Sequence, residues 1–344
     1  MPGMNTDTAI GAEALLEALN EAALIAAEWT VRHSNAAARA LLGEHIEGAP
    51  LHHIISHPAA LEALERQGAG DPEEVELTGL DGSRRSWLMR TAQLADGTCL
   101  VRFVDSSETR AAEQMRVDFV ANASHELRTP LSTLIGYTET LRERAQEVDP
   151  ETRERFLSVV HDEARRMQRV VEDLISLSRI EAEKFTAPTD AIALQPLIEH
   201  AIESARRMAD ERGSALVAEV GQDLPDIAAD RTQILQLLDN LVTNALRYGE
   251  TGTPVVIAAN AEGPMVHLKV TDQGEGIAPE HVKRVTERFY RVDTSRSRSL
   301  GGTGLGLSIV KHIVERHRGR LNVESVVGKG TSVHVLLPVA EATS

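Results

Sequence analysis

The sequence is poor in several things, and each shortage excludes something. It has one cysteine, Cys99, in 344 residues. A single thiol closes no internal disulfide and builds no CxxC-type metal site, which fits a reducing compartment. Aromatic residues make up only 3%, so the cores must be built from Leu, Val, Ile and Ala. No stretch approaches the ~18 consecutive apolar residues that a membrane-spanning helix needs. The most apolar early segment, Ala22 to Trp29, is short and carries Glu28, and the N-terminus lacks the charged-then-apolar layout of a signal peptide. Positive charge is scarce as well. Lys and Arg total 36 against 52 Asp and Glu, a net charge of −16, which argues against direct nucleic-acid binding because a phosphate backbone attracts basic surfaces.

What is present is ordinary for a folded protein: 42% hydrophobic and 26% charged residues, in a chain long enough for two or three domains. Residues 1–11 read as a polar tail. Residues 12–105 have a mixed texture. A helical pattern (Ala14, Leu15, Ala18, Leu19) precedes Ala23 to Val31 and a short helix from Asn35 to Leu42, stopped by Gly43. Strand candidates follow at Glu74 to Thr78, Arg85 to Thr91 and Cys99 to Val104, with Asp81-Gly82 and Asp96-Gly97 as hairpin turn signals. A helix-then-antiparallel-strand order predicts a small α+β domain.

Residues 106–185 change to long helices. Phe156, Val160, Glu163, Met167, Val170, Leu174 and Leu177 form a heptad seam with one polar interruption. An upstream helix over about Glu108 to Glu147 carries Leu127, Leu131, Leu134, Ile135 and Leu141, and Asp149-Pro150 marks the turn between the two. Such a hairpin can bury its stripes by pairing with a second copy as a four-helix bundle; an inert coiled-coil spacer has the same pattern. After a linker from Lys184 to Pro196, helices and strands alternate through residues 186–344 as one α/β domain.

Four segments could carry chemistry. His125-Glu126 sits in a helix between apolar residues, with Thr129 one turn on and Pro130 expected to bend the helix. A neutral imidazole is a nucleophile near neutral pH, and an adjacent carboxylate can orient it or accept its proton; taken alone, a His-Glu pair more commonly marks a solvated helix face. In Gln233 to Tyr248, Asn240, Asn244 and Arg247 fall on one face, opposite an apolar stripe. Asparagine is a poor helix former, and its oxygen suits Mg²⁺ shared with a nucleotide, although two exposed amides give the same pattern. Asp272-Gln-Gly274-Glu-Gly276 follows a strand pattern and could be a turn with an acid in it. Gly301 to Gly306 is glycine-rich and opens a helix, a place for phosphates, yet it is neither a Walker A loop nor a Rossmann turn. The polar, basic stretch Asp293 to Leu300 before it suits a nucleotide lid.

Taken in series, these segments resemble the sensor histidine kinases of two-component systems over residues 106–340. SHELRTPL looks like the phosphoacceptor box, DNLVTNALRY the asparagine box, DQGEGI and GGTGLGLSIVK the two glycine boxes, and ERFYRVD the phenylalanine box. The resemblance implies a multidomain α+β chain: a PAS-like sensor, a two-helix hairpin forming a dimeric four-helix bundle, and a C-terminal α/β sandwich of the GHKL type. It implies that His125 accepts the γ-phosphoryl group of ATP, with Glu126 as acid/base partner and Thr129 placing a water for the reverse, phosphatase activity. Asn244 would bind Mg²⁺, Asn240 support the phosphates, Asp272 receive the adenine amino group and Tyr248 lie against the purine. Gly274, Gly276, Gly302, Gly304 and Gly306, with Thr303 and Leu305 between them, would shape the pocket and lid, and Arg291 would contact the transferring phosphate. Arg247 stands where the family usually has Lys, which keeps charge but replaces a compact ammonium with a planar fork.

The implied partners are a second copy of the chain and the receiver domain of a response regulator. With no membrane span, the expected location is cytoplasmic, the input arriving there or through a membrane-bound partner. Residues 12–105 resemble a divergent PAS domain through Asn35-Ala-Ala-Ala-Arg, Leu51 to His57 and the hairpins. His52, His53 and His57 match no metal-ligand spacing. Arg284 to Asp293, with Thr286 where other members have Phe, is similar to the phosphate-regulon sensor kinases. The alternatives are a PAS histidine kinase of another pathway, a GHKL ATPase without phosphorelay, and a scaffold without kinase activity.

Overall fold

A computed structural model describes residues 13–66, 73–80, 82–94, 97–144, 148–183, 185–292 and 302–340. The expected lid from Asp293 to Leu300, Gly301, Lys184, Asp81, Asp96 and the tail 1–11 lie outside them. The chain divides into two compact units, Met1–Asp118 and Phe119–Ser344.

In the first unit, strands β1 (Ala22–Ala27), β2 (Thr30–Ser34), β3 (Glu73–Thr78), β4 (Ser86–Gln93) and β5 (Cys99–Asp105) form an antiparallel sheet of order β2-β1-β5-β4-β3. Helices α1 (Ala36–Leu42), α2 (Leu51–Ile54) and α3 (Pro58–Arg66) lie in sequence between β2 and β3. Two strands therefore lie between a first helical segment at 13–17, where the sequence pattern placed one, and these helices, and the pattern marked neither strand. The reason is burial on both faces of β1. Ala22, Leu24 and Ala26 join the main core, while Ala23 and Ile25 pack with Leu16 on the other side, so no polar alternation marks the strand.

Asn35 fixes this corner. Its Oδ1 accepts from the backbone N–H groups of Ala38 (2.8 Å) and Ala23 (3.0 Å), capping α1 and holding β1. Its Nδ2 donates to the carbonyls of Leu16, Leu19 and Glu21. Gly82 and Gly97 have φ of +74° and +82°, as the hairpin signals require. His52 and His53 are exposed, and among the described residues no three His, Cys, Asp or Glu side chains are grouped to hold a metal.

Helix α4 (Ser107–Glu143) runs from the first unit into the second, helical through Pro130. Helix α5 (Pro150–Ala182) starts on Asp149, whose carboxylate accepts from Thr152 N–H at 2.9 Å. Tyr137 meets Phe156 edge-on across the two helices. The heptad seam is only partly a hairpin seam: Leu177 is buried in the core of the α/β region, as is Ile180 beyond the seam, and Leu174 packs against that core. Among the described residues, no helix is long and apolar enough to cross a membrane.

That region has a sheet of order β11-β12-β10-β9-β7, built from β7 (Leu216–Val220), β9 (Val255–Glu262), β10 (Met265–Thr271), β11 (Arg320–Val326) and β12 (Gly330–Pro338). All pairs are antiparallel except β7 with β9. A two-strand ribbon, β6 (Ala191–Ile192) with β8 (Ile227–Ala228), accompanies it. Along β10, Val266, Leu268 and Val270 alternate inward. They meet the apolar stripes of α6 (Gln195–Glu211), α7 (Arg231–Tyr248) and α9 (Gly306–Arg316) in one core. A short helix, α8 (Pro279–Val282), follows β10.

The start of α7 and the end of α9 are joined through His317. Its Nδ1–H donates to Ile313 O (2.8 Å), and its Nε2 accepts from Asp230 N–H (3.0 Å), so the buried ring is held neutral. Burial depresses its pKa first; Arg316 adds to this, while Ile313 and Asp230 oppose it. The unfolded chain takes up a proton near the ordinary imidazole value of 6.5, whereas the folded chain resists until lower pH. More protons are then bound unfolded, so stability falls as the pH falls. The urea midpoint should drop between about pH 7.5 and about pH 5.5. His317→Gln should flatten that slope even though it lowers stability throughout.

Candidate functional site

One cleft of about 1190 Å³ lies between α7, the end of β10, the start of α9 and one face of α5. Asn240, Asn244, Arg247, Tyr248, Asp272, Gly274, Gly276, Gly302, Thr303, Gly304, Gly306 and Arg291 all line it. Leu305 does not. Its side chain is fully buried in the core, so its contribution to the cleft walls is to anchor the turn between two lining glycines.

At one end, Asp272 is held by two backbone donors on one oxygen: Gly274 N–H at 2.8 Å and Thr331 N–H at 3.3 Å, both to Oδ1. Among the described residues Oδ2 has no protein donor, so it is the acceptor offered to a ligand. Burial raises the carboxyl pKa and the two N–H bonds pull it back down. Close approach explains the neighbouring glycines. A Cβ on Gly276, whose φ is +71°, would overlap the Val326 carbonyl.

At the other end, the first turn of α9 meets the asparagines of α7. A Cβ on Gly306 would lie 2.8 Å from Asn240 Oδ1 and 3.4 Å from Asn244 Nδ2. Asn240 Nδ2 donates to Gln236 O at 3.0 Å, and the Asn244 side chain lines the cleft. Arg247 is half-buried beside them. Its Nε is buried and has no hydrogen-bond partner among the described residues, and burial lowers its pKa. A cation with an orphaned donor beside a helix N-terminus suits an anionic ligand. The Tyr248 ring is 45% exposed at the rim.

His125 is exposed on α4, and Thr129 Oγ1 bonds back to its carbonyl at 3.5 Å. Glu126 faces the α/β region. Its Oε2 accepts from Arg291 at 3.0 Å and from Arg166 of α5 at 3.4 Å. The Arg291 side chain is only 5% exposed and also donates to Gly302 O. Arg291 thus joins the carboxylate beside His125 to the glycine-rich wall of the cleft. Phe289 packs near Phe119 of α4, with ring centroids 5.9 Å apart, and its N–H donates to Gly304 O at 2.8 Å.

The sequence reading missed Arg166, Asp173 and Thr331. Arg166 and Asp173 are seven residues apart on α5, a charged face that looks solvated until the α/β region packs on it. Asp173 lines the cleft and accepts from Thr303 Oγ1 at 2.8 Å. Thr331 follows Gly330 in a turn-like Gly-Lys-Gly-Thr, a signal that was there to be found.

Residues 229–341 match the family described as histidine kinase-, DNA gyrase B- and HSP90-like ATPase. Residues 115–183 match the His Kinase A (phospho-acceptor) domain. The phosphate regulon sensor protein PhoR of Pseudomonas aeruginosa is 35% identical over 87% of this chain and 67% of its own length. The sensor histidine kinase WalK of Bacillus subtilis is 38% identical over 72% of this chain, but only 40% of WalK is spanned. A crystal structure of the histidine kinase ThkA in complex with the response regulator protein TrrA aligns with a TM-score of 0.54 at 19% identity, over 95% of this chain and 98% of that one, a likeness of fold. With an ATPase-type cleft and a phosphoacceptor-type hairpin in the order the motifs predicted, the chain belongs to the two-component sensor histidine kinases, a family of ATP-dependent protein-histidine kinases.

Proposed function

We propose that this chain phosphorylates its own His125 from Mg-ATP and passes the phosphoryl group to an aspartate in the receiver domain of a response regulator. The observation that carries the proposal is the link from the cleft to the acceptor: exposed His125, adjacent Glu126, and Arg291 bridging Glu126 to Gly302. In the reaction, the lone pair of one imidazole nitrogen attacks the γ-phosphorus and the bond to the ADP oxygen breaks. The proton on the other ring nitrogen passes to Glu126. Glu126 accepts it only when Arg291 turns away, and a phosphoryl group offers Arg291 a replacement anion. In the reverse activity, Thr129 swings its hydroxyl off the His125 carbonyl to place a water for hydrolysis of the partner's phosphoaspartate.

Asp272 Oδ2 receives the adenine amino group, Tyr248 lies against the purine, and Asn240 and Arg247 support the phosphates. Asn244 is the protein ligand for Mg²⁺. The lack of a three-acid cluster among the described residues suits an ion held mainly by phosphate oxygens and water. When bound, Mg²⁺ supplies charge neutralisation on the triphosphate; orientation and proton transfer fall to the side chains above.

The working unit is a homodimer. Val120, Leu131 and Ile135 on α4 and Leu157, Val171 and Ile175 on α5 are each more than 40% exposed, apolar surface that a second hairpin covers in a four-helix bundle. Residues 12–105 act as a PAS-like sensor, 106–185 as the dimerisation and phosphoacceptor hairpin, and 186–344 as the ATP-binding domain. The 2-1-5-4-3 sheet with helices between its second and third strands supports the sensor reading. The signal is phosphate-responsive, a reading supported by Thr286 and by the identity to the Pseudomonas protein. The location is cytoplasmic, with input arriving there or through a membrane-bound partner.

Incubation with γ-labelled ATP and Mg²⁺ should give an acid-labile, alkali-stable label that is absent in His125→Gln; a label that persists in that variant rejects His125 as acceptor. Asp272→Asn keeps the acceptor for Gly274 and Thr331 but turns an amide donor toward the adenine amino group. Facing two donors removes one hydrogen bond and leaves both unsatisfied, about 1–3 kcal/mol, so ATP affinity should fall roughly 5- to 150-fold while the thermal midpoint stays close to the parent's. Calorimetric titration checks the first quantity and a melting curve the second.

A further inference from the structure

Asp173 has no part in the reaction described above, yet it sits where a phosphate would be drawn. Its Oδ2 accepts from Thr303 Oγ1 at 2.8 Å. The same hydroxyl oxygen accepts from Leu305 N–H at 3.2 Å, the residue that caps the start of α9. That helix has no acidic residue in its first turn and no side-chain cap. Arg169 and Arg247 both act to stabilise the Asp173 carboxylate, and all three side chains line the cleft with Asn240 and Asn244. A carboxylate coupled through a hydroxyl to the N-terminus of a glycine-led helix, in a cleft also lined by two guanidinium groups, has the surroundings that a phosphate seeks.

We propose that Asp173 competes with the phosphates of the nucleotide for these cations and this helix N-terminus, so that binding the triphosphate displaces it and loosens α5 from the glycine-rich segment. This rests on the nucleotide reading of the cleft and adds a regulation to it. Two anions cannot share one set of donors without repulsion. Burial already holds the Asp173 carboxyl above the usual carboxylate range, opposed by Thr303 and Arg169, so the charge is under strain before a second anion arrives. Release is local. Ser176 Oγ still donates to Gln236 Oε1 at 2.6 Å, and Glu181 still pairs with Arg288 and His312. Occupancy of the cleft and the hold on the phosphoacceptor hairpin are thereby linked in opposite senses.

The test is titration of the 344-residue chain and its variants with Mg-ATP and with adenosine. Asp173→Asn, nearly the same shape, should bind ATP about three- to tenfold tighter and adenosine no differently, because adenosine carries no charge to repel. Asp173→Glu, which keeps the charge, should stay near the parent. Unchanged or weaker ATP binding in Asp173→Asn overturns the proposal, as does equal tightening toward adenosine or equal tightening by Asp173→Glu. If the parent chain binds no ATP, the nucleotide reading fails as well, whereas parent binding with an inert Asp173→Asn removes only this inference. Hydrogen exchange over residues 166–183 is a second readout: ATP should speed it in the parent and adenosine should not, and equal protection with both ligands counts against the competition.

Discussion

The arrangement turns on one carboxylate. Glu126 is shared by Arg166 and Arg291, whose side chains are 9% and 5% exposed. An ion pair in water, such as Arg206 with Glu203 on the surface of α6, contributes about 0–1 kcal/mol. A pair this far out of solvent behaves differently. The cost of drying the charges offsets most of their attraction, but taking away one partner leaves a bare charge and costs about 3–5 kcal/mol. The contact therefore contributes position more than net stability. It fixes where the α/β region stands against α4, and it resists opening until another anion can take a partner's place. The proposed transfer has a use for that property, because in it the carboxylate becomes available as a base only when a phosphoryl group has arrived.

Contacts made across long sequence separations also decide which parts of the site were legible in the sequence. Asp272, Gly274, Gly276, Asn240 and Asn244 were, because each works within a short stretch whose spacing survives folding. Gly306 could be marked as glycine-rich, but its reason, the Asn240 side chain against it, lies 66 residues away and is invisible in one dimension. Arg166 and Asp173 were hidden for the opposite cause. On an amphipathic helix a charged face reads as solvated, and only the docking of a second region turns it into a lining. The heptad seam misled in a related way. Its period is real, but Leu177 belongs to the core of the α/β region and Leu174 packs against it, while Val171 and Ile175 beside the seam remain exposed. Apolar periodicity reports that a face is buried and does not report by what.

In the first unit the failure was of period. Alternation identifies a strand only when one face meets water. β1 is covered on both, so its run of Ala, Leu and Ile carried no mark of strand, and β1 and β2 went unassigned although the helical segment ahead of them was read. The three later strands each keep a less buried face, with Glu74 and Glu76, Arg90 and Arg102 on it in turn, and their positions were read within a residue or two. Asn35 shows the complementary case. It was noticed as part of a resemblance, but its five hydrogen bonds give the physical reason for the residue. No other side chain of that size offers both an acceptor for two N–H groups and two N–H donors, here shared among three carbonyls.

The glycine-rich segment meets more demands than a nucleotide alone would set. Gly302 O accepts from Arg291, Thr303 couples Asp173 to the start of α9, Gly304 O accepts from Phe289 N–H, and Gly306 packs on Asn240. Five consecutive residues thus bear on α4 through Arg291, on α5, and on α7. Phe289 is also held at a φ of +61°, a left-handed conformation that costs a bulky residue about 1–2 kcal/mol and persists because Phe119 and Gly304 hold it from two sides. A segment tied in this many directions cannot move at one contact and stay fixed at the others. Any change in the packing of α4 against α5 is therefore felt at the walls of the cleft, and occupancy of the cleft is felt in turn by the hairpin that carries His125.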